Sequence, residues 1–141
     1  MIRRFFLLPR HERRMTLEAA FILTLASAAL KGLSFSVAMR IFGLREGGPA
    51  PKRHADPAQA RNIGRAVARA ARRLPFNAVC LPQAVTAAVM LRRRGLAAEV
   101  RFGVAKRDGV VSAHAWSLCG DAPVIGTENA ANFVPISRYA A

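Results

Sequence analysis

The chain has 141 residues, a length typical of one domain, and 52% of them are hydrophobic, which excludes a disordered basic tail. Its 22 Lys and Arg against 8 Asp and Glu give a net charge of +14, which indicates an anionic partner such as nucleic acid, a membrane surface or an acidic peptide. Two cysteines exclude a secreted scaffold built on disulfides.

Residues 1–44 form the first predicted unit, a helical segment that packs on the core. The pattern predicts an amphipathic helix over 15–31 and a shorter helix over 34–43. The apolar run 19–30 follows several arginines, but it ends at Lys31, short of the about 20 residues that a membrane-spanning helix needs. We therefore favour a buried helix over an export signal or a membrane anchor, and we expect a cytoplasmic protein.

Residues 45–56 are predicted to be a linker, because Gly and Pro occur there with mixed charges and no periodicity. The core unit, 57–141, begins with a helix over 57–73, with Asp56 as its cap and Pro57 at its first position. One face of this helix is apolar. The other carries four arginines at helical spacing, which are either a solvated face or a weak candidate for docking an acidic partner: Arg61, Arg65, Arg69 and Arg72.

A further helix is predicted over about 80–94, where an apolar face ends in three arginines and Gly95. From residue 97 the apolar period changes to two, which is typical of strands. The Asp108-Gly109 and Gly120-Asp121 pairs predict tight hairpin turns. Together these patterns predict an α+β domain, in which helices precede a three-stranded antiparallel meander and the tail 129–141 is unassigned.

Cys80 is predicted at the start of a helix, where a thiol meets free backbone N–H groups and the positive end of the helix dipole. Both favour the nucleophilic thiolate, and the same N–H groups can hold an oxyanion. A lone cysteine beside an apolar helix is more often a small buried side chain. His114 on a later strand, flanked by Ala113 and Ala115, favours the catalytic interpretation, because a helix-start Cys followed by a strand His is the order of papain-like nucleophile and base pairs. Trp116 is expected on the same strand face as His114.

Several short motifs then resemble the leader protease of lasso-peptide biosynthesis. They include Cys80-Leu81-Pro82-Gln83-Ala84, Leu91-Arg92-Arg93-Arg94-Gly95-Leu96, Gly103-Val104 and Ala113-His114-Ala115-Trp116. The resemblance covers about residues 60–135. It implies a transglutaminase-like, papain-related fold, with Cys80 as nucleophile and His114 as general base.

The resemblance also implies a function and partners. The protease removes the leader from a ribosomally made precursor, and an asparagine-synthetase-like cyclase then closes the new N-terminus onto an acidic side chain. A small leader-recognition module presents the precursor. Because the residues before Cys80 have a helical pattern rather than the strand-rich pattern of that module, we expect it to be a separate protein.

The third catalytic member is left open. In the resembled family it is often an Asp on the strand after the His strand, and the aligned residue here is Gly126. In a regular ladder His114 lies opposite Thr127, so Thr127 or, on the diagonal, Asn129 would orient the imidazole, and a backbone carbonyl is the other alternative. Glu128 would point to the opposite face unless a bulge intervenes.

The alternative function is a non-enzymatic basic module that binds nucleic acid or an anionic membrane surface. We expect no nucleic acid, since aromatic residues are only 7% and none interleaves with the arginine stripe. Contact of residues 15–43 with a membrane or with a partner is left open, and membrane contact is not favoured. We expect no cofactor and no metal, because two cysteines and one suitably placed histidine fall short of a zinc site. Acyl transfer to an amine instead of water would use the same cysteine and histidine.

Overall fold

The computed structural model describes residues 2–47 and 53–141, which form helices packed on one sheet. The α-helices are α1 Ile2–Phe6, α2 Arg10–Gly32, α3 Phe35–Ile41, α4 Pro57–Arg73 and α5 Cys80–Arg93, and a 3₁₀ helix spans Thr127–Asn132. The strands are β1 Arg45–Glu46, β2 Glu99–Arg107, β3 Val110–Cys119, β4 Ala122–Ile125 and β5 Val134–Ala140. The predicted α+β class is confirmed. Residues 48–52 of the predicted linker lie outside the described residues.

The central element of the core is α5, which is apolar on most of its circumference. It packs against β3 on one side and against α2 on the other, while α4 packs against α2 and β4. Its fully buried side chains include Val85, Met90 and Leu91. A helix that is apolar on most of its circumference is stable only when other elements cover it. The contacts of α5 with β3 and α2 therefore fix the position of its N-terminus relative to β3.

The N-terminal helices differ from the prediction in extent. α2 begins at Arg10 rather than at residue 15, and α1 was not predicted. Arginine is a good helix former, so the basic residues that precede the apolar run continue its helix back to Pro9, whose carbonyl accepts from the Arg13 N–H at 3.0 Å. The periodicity of apolar residues alone does not show such an extension.

The sheet contains the predicted meander but is larger. Its strand order is β1-β5-β2-β3-β4, and each pair of neighbouring strands is antiparallel. Because the sheet has five strands within the described residues, the prediction of three strands was incomplete. The first two residues of the predicted linker form β1, which pairs with β5. Pro135 lies within β5, at the point where the β2–β5 register shifts. Because a proline within an apolar run is evidence against a strand, the sequence pattern did not predict β5.

The two hairpin turns form where they were predicted. Asp108 and Gly109 both have positive φ, of 52° and 78°, as a two-residue turn of this kind requires. The second turn places Cys119 opposite Ala122. Beyond that pair the β3–β4 ladder is irregular, because Leu118 pairs with Pro123 but Ser117 pairs with Ile125.

This bulge changes the register that a regular ladder would give. β4 ends at Ile125 and the chain turns at Gly126 into the 3₁₀ helix, so Thr127 does not lie in a strand opposite His114. Val124 is the extra residue of the bulge, since Pro123 and Ile125 pair with consecutive residues of β3, and the residues after it are therefore shifted by one.

Candidate functional site

Cys80 is the first residue of α5, and the N-terminus of that helix has no side-chain cap. Val79 occupies the capping position with φ −76° and ψ −175°, and its side chain accepts no hydrogen bond. By contrast, the Asp56 carboxylate accepts from the Gln59 N–H at 3.2 Å and caps α4. Pro82 has no N–H and the Gln83 N–H donates to the Val79 carbonyl at 3.4 Å, so the first-turn groups without an intrahelical acceptor are the N–H groups of Cys80 and Leu81. These two stay available to an anion beside the half-buried Cys80.

The loop before Cys80 is held by a side chain of the same helix. The amide nitrogen of Gln83 donates to the carbonyl oxygen of Ala78 at 2.6 Å. Ala78 is buried, so this contact ties the entry of α5 to the core and fixes the direction in which Cys80 leaves the backbone. Sequence reasoning did not assign this role to Gln83, because its partner is a carbonyl and leaves no residue pattern.

His114 lies in the middle of β3 and is half-buried. Its Nε2 is 2.7 Å from the carbonyl oxygen of Gly126. A carbonyl oxygen only accepts hydrogen bonds, so Nε2 carries the proton of this contact. In the neutral ring Nδ1 is then the unprotonated nitrogen, with a lone pair that can accept a proton.

Two aromatic rings flank the imidazole. The Trp116 ring stacks with it at a centroid distance of 5.9 Å and an interplanar angle of 25°, and the Phe133 ring lies at 5.1 Å. Gly103, paired with His114 across the sheet, makes the room. A Cβ there would lie 2.9 Å from the Trp116 ring and 2.8 Å from the Phe133 Cβ. The prediction that Trp116 shares the face of His114 is confirmed.

Gly126 is suited to its position by two features. Its φ is +79°, a conformation that a side chain disfavours, and a Cβ on it would lie 2.9 Å from the Ala115 carbonyl oxygen. An aspartate at this position would need both the backbone and β3 to shift. The chain thus presents a backbone carbonyl to His114 where the resembled family often has a carboxylate.

Cys80, His114 and Gly126 line one cleft of about 260 Å³, together with side chains from α4, α5 and the 3₁₀ helix. The other lining residues are Ala68, Gln83, Ala115, Ile125 and Glu128. The structure therefore brings together the two residues that the sequence paired. The bulge in β4 occurs, and Glu128 faces this cleft, which gives it one carboxylate.

The two candidates for the third member lie on the 3₁₀ helix after Gly126. Thr127 is half-buried and Asn129 is exposed. Among the described residues, the hydrogen bond found at His114 goes to Gly126 and not to either of them. Of the alternatives open in the sequence, the backbone carbonyl is the one in contact with the imidazole.

The arginine stripe of α4 runs beside the cleft. Ala68, which lines the cleft, follows Arg65 by three residues and precedes Arg72 by four, so all three share one side of the helix. Arg61 continues this side by one more turn, and Arg61, Arg65 and Arg72 are exposed.

Arg69 is used inside the molecule. Its Nε donates to the Thr16 hydroxyl at 3.1 Å, and a guanidinium nitrogen lies 3.8 Å from the Glu12 carboxylate. Burial lowers the pKa of Arg69, Glu12 opposes that change, and the nearby arginines add to it. The exposed stripe therefore consists of the other three arginines.

Within residues 2–47 and 53–141, no three His, Cys, Asp or Glu side chains come close enough together to hold a metal ion. A larger cleft of about 800 Å³ lies at the other end of α5, with Arg40, Arg45, Arg92 and Tyr139 among its lining residues. No Cys or His belongs to its described lining, so it contains neither of the two candidate catalytic residues.

A family model described as the transglutaminase-like superfamily matches residues 22–138. The match begins inside α2 and includes the whole Cys80 and His114 cleft. The superfamily includes cysteine proteases and transglutaminases. Comparison with curated proteins and with solved structures finds no significant match.

Proposed function

We propose that the chain, which belongs to the transglutaminase-like superfamily, is a cysteine peptidase. Its proposed reaction is removal of the leader from a ribosomally made lasso-peptide precursor. The observation that carries the proposal is the cleft in which Cys80, at an uncapped helix start, faces the same space as a histidine whose Nε2 is bonded to a carbonyl. The motifs around both residues support the choice of substrate.

In the proposed reaction the His114 Nδ1 removes the proton from the Cys80 thiol. The thiolate attacks the carbonyl carbon of the leader–core peptide bond, and the first-turn N–H groups of α5 hold the oxyanion. As the C–N bond breaks, the imidazolium gives its proton to the core amine, which leaves a thioester between the leader and Cys80. A water deprotonated by His114 hydrolyses the thioester, and the products are the leader carboxylate and the free thiol.

The Gly126 carbonyl has a defined part in this scheme. It keeps the proton on Nε2, so that the basic Nδ1 is presented to the thiol, and it accepts from the imidazolium that forms during attack. The rings of Trp116 and Phe133 limit the access of water to the imidazole.

An acidic segment of the leader is the proposed ligand of the exposed stripe Arg61, Arg65 and Arg72. These charges lie on the side of α4 that includes the cleft residue Ala68. A separate recognition protein presents the leader, and a separate cyclase uses the new amine.

The test is cleavage of the precursor by the purified chain with its recognition protein, followed by mass spectrometry. Wild type is expected to release leader and core, and Cys80→Ala to release neither. The matched control is Cys119→Ala, which removes a thiol that is buried and outside the cleft, and this variant should keep cleaving. Cleavage by Cys80→Ala would contradict the proposal.

The second candidate is acyl transfer to an amine, which superfamily membership supports because transglutaminases belong to it. The same reaction run with an added primary amine distinguishes the two. Hydrolysis gives a leader with a free carboxylate, whereas transfer gives a leader whose mass is raised by the amine minus water. Iodoacetamide should inactivate either activity, and an anion-binding module without chemistry would be indifferent to it.

A further inference from the structure

The N-terminal helices expose an unusual amount of apolar surface. Six residues of α2, spaced three or four apart, form one stripe on the side away from the core: Arg10, Arg14, Leu17, Phe21, Leu25 and Ala28. All six are exposed, and the large apolar side chains Leu17, Phe21 and Leu25 expose 58%, 67% and 48% of their surface. A helix packed on a soluble core normally turns polar residues to this side.

The first helix extends this surface. Ile2 and Phe5 of α1 line an apolar groove of about 300 Å³ together with Leu17 of α2 and residues at the end of α4, so α1 lies over the groove between α2 and α4. Ile2, Phe6 and Leu7 are exposed by 76%, 63% and 83%. We define the outer face as the α2 stripe together with these three apolar residues and the exposed Arg3 and Arg4.

In α1 to α3 the acidic residues lie on the side that faces the core, and the outer face carries cationic residues. The two acidic residues pair with arginines of the core: Glu12 lies 3.8 Å from Arg69, and Glu18 lies 2.7 Å from Arg94. The outer face therefore combines apolar and cationic side chains with no acidic residue. That combination is the composition of helices that lie in the interface of an anionic bilayer.

The length and hydropathy of α2 are compatible with contact to lipid. Its packing on the core determines how the helix is oriented relative to the membrane. α2 is long and apolar enough to span a bilayer by composition alone, and a third of its most apolar 18-residue window is buried in the protein. The buried side contacts α4 and α5, and its ion pairs to Arg69 and Arg94 hold it there. An orientation in the membrane plane keeps these contacts, whereas spanning would break them.

We propose that the protein associates peripherally with an anionic phospholipid surface through the outer face. The large apolar side chains of the outer face enter the headgroup–acyl boundary, and its four arginines contact lipid phosphates. The Cys80 cleft is lined by none of the residues of this face, so the proposal is independent of the activity proposed above.

The experiment is co-sedimentation of the full chain with vesicles of phosphatidylcholine and phosphatidylglycerol in equal parts, against phosphatidylcholine alone. Wild type is expected to bind the mixed vesicles and to dissociate as salt is raised. Arg10→Gln/Arg14→Gln should weaken binding roughly thirtyfold, and Leu17→Gln/Phe21→Gln about tenfold or more.

Matched controls come from the β2–β3 hairpin. Val110 and Val111 are exposed by 67% and 66%, like Phe21, so Val110→Gln/Val111→Gln removes similar apolar surface elsewhere. Lys106→Gln/Arg107→Gln does the same for charge. Both controls should bind as wild type does, with equal thermal unfolding for all variants.

Three results would overturn the proposal. An equal loss of vesicle binding in the hairpin variants would show that net charge or nonspecific hydrophobic adsorption drives binding. Equal binding to phosphatidylcholine alone would remove the role of the arginines. A dimer in solution that fails to bind vesicles, and that Leu17→Gln/Phe21→Gln makes monomeric, would assign the face to a second copy. Should a variant unfold, protection of α1 and α2 from hydrogen exchange by mixed vesicles tests the wild type directly.

Discussion

The Nε2 atom of His114 lies 2.7 Å from the carbonyl oxygen of Gly126. A neutral backbone acceptor thus orients the imidazole where the resembled family often uses a carboxylate. The carbonyl fixes the tautomer and the direction of the ring as a carboxylate does, but it stabilises the imidazolium less, because it has no full charge. In return no carboxylate has to be buried against the imidazole, where its desolvation would cost several kcal/mol.

The first prediction concerns Gly126→Ala. We expect it to lower both stability and the rate of leader cleavage, because the new Cβ strains the backbone and presses on the Ala115 carbonyl, which displaces the acceptor of His114. Gly109→Ala is a closely matched control, since Gly109 has φ +78° against +79° but nothing within 4 Å of a Cβ. The control should lose about 1–2 kcal/mol of stability and keep its activity.

Urea unfolding and single-turnover cleavage measure the two effects. If Gly126→Ala and Gly109→Ala lose equal stability and neither loses activity, then Gly126 has a structural role and no role in positioning His114. A larger loss of rate in Gly126→Ala at a temperature where both are folded supports a role in positioning His114.

The second prediction sets stability against activity at Val79. An aspartate at this capping position is expected to accept from a first-turn N–H of α5 and stabilise the fold by about 1 kcal/mol. The same carboxylate competes with the oxyanion and repels the thiolate of Cys80, so the cleavage rate should fall. Val79→Ala, which adds no acceptor, is the control.

Thermal unfolding and cleavage rates of the two Val79 variants decide the matter. If Val79→Asp cleaves as fast as Val79→Ala, the N–H groups of this helix do not take part in the reaction.

The third prediction concerns the exposed arginines beside the cleft. Arg65→Gln/Arg72→Gln should raise the KM for an acidic leader about threefold to tenfold and leave kcat nearly unchanged, since each exposed charge contributes under about 1 kcal/mol. The effect should shrink at high salt. Lys106→Gln/Arg107→Gln removes the same charge far from α4, and an equal change in its KM would argue for a general effect of net charge.

The fourth prediction follows from Tyr139. Burial, followed by the Glu46 carboxylate that accepts from its hydroxyl, raises the pKa of Tyr139 above 10.0. The folded chain therefore holds this proton more tightly than the unfolded chain, so the stability it contributes is present below pH 10 and is lost as pH rises through the folded pKa.

The comparison with Tyr139→Phe isolates this proton. The difference in free energy of unfolding between wild type and variant should be constant below pH 10 and should shrink above it, as measured by urea unfolding across a pH series. A difference that stays constant through alkaline pH would mean that Tyr139 titrates alike in both states.

Much of the site is local in origin and could be read in the sequence. The entry of α4 at Asp56, the turn at Gly109 and the positions of Cys80 and His114 on a helix start and a strand each depend on a few neighbouring residues. The pairing of Cys80 with His114 follows from their order and motifs. These predictions needed no knowledge of distant contacts.

The orienting group of His114 could not be assigned in the same way. A regular ladder placed Thr127 opposite His114, but the bulge at Val124 shifts the β3–β4 register and Gly126 turns its carbonyl to the ring. Every residue carries a carbonyl, so the pattern of side chains does not distinguish the one that faces an imidazole. The register and the left-handed turn together select it.

Charge shows the same division. The net charge of +14 indicates an anionic partner from the sequence alone. Which arginines are free depends on packing: Arg69 and Arg94 hold the only two acidic residues of α1 to α3, while Arg10, Arg14, Arg65 and Arg72 are exposed. An ion pair between α2 and a later helix depends on how those helices pack, and neither partner shows it by its position in the chain.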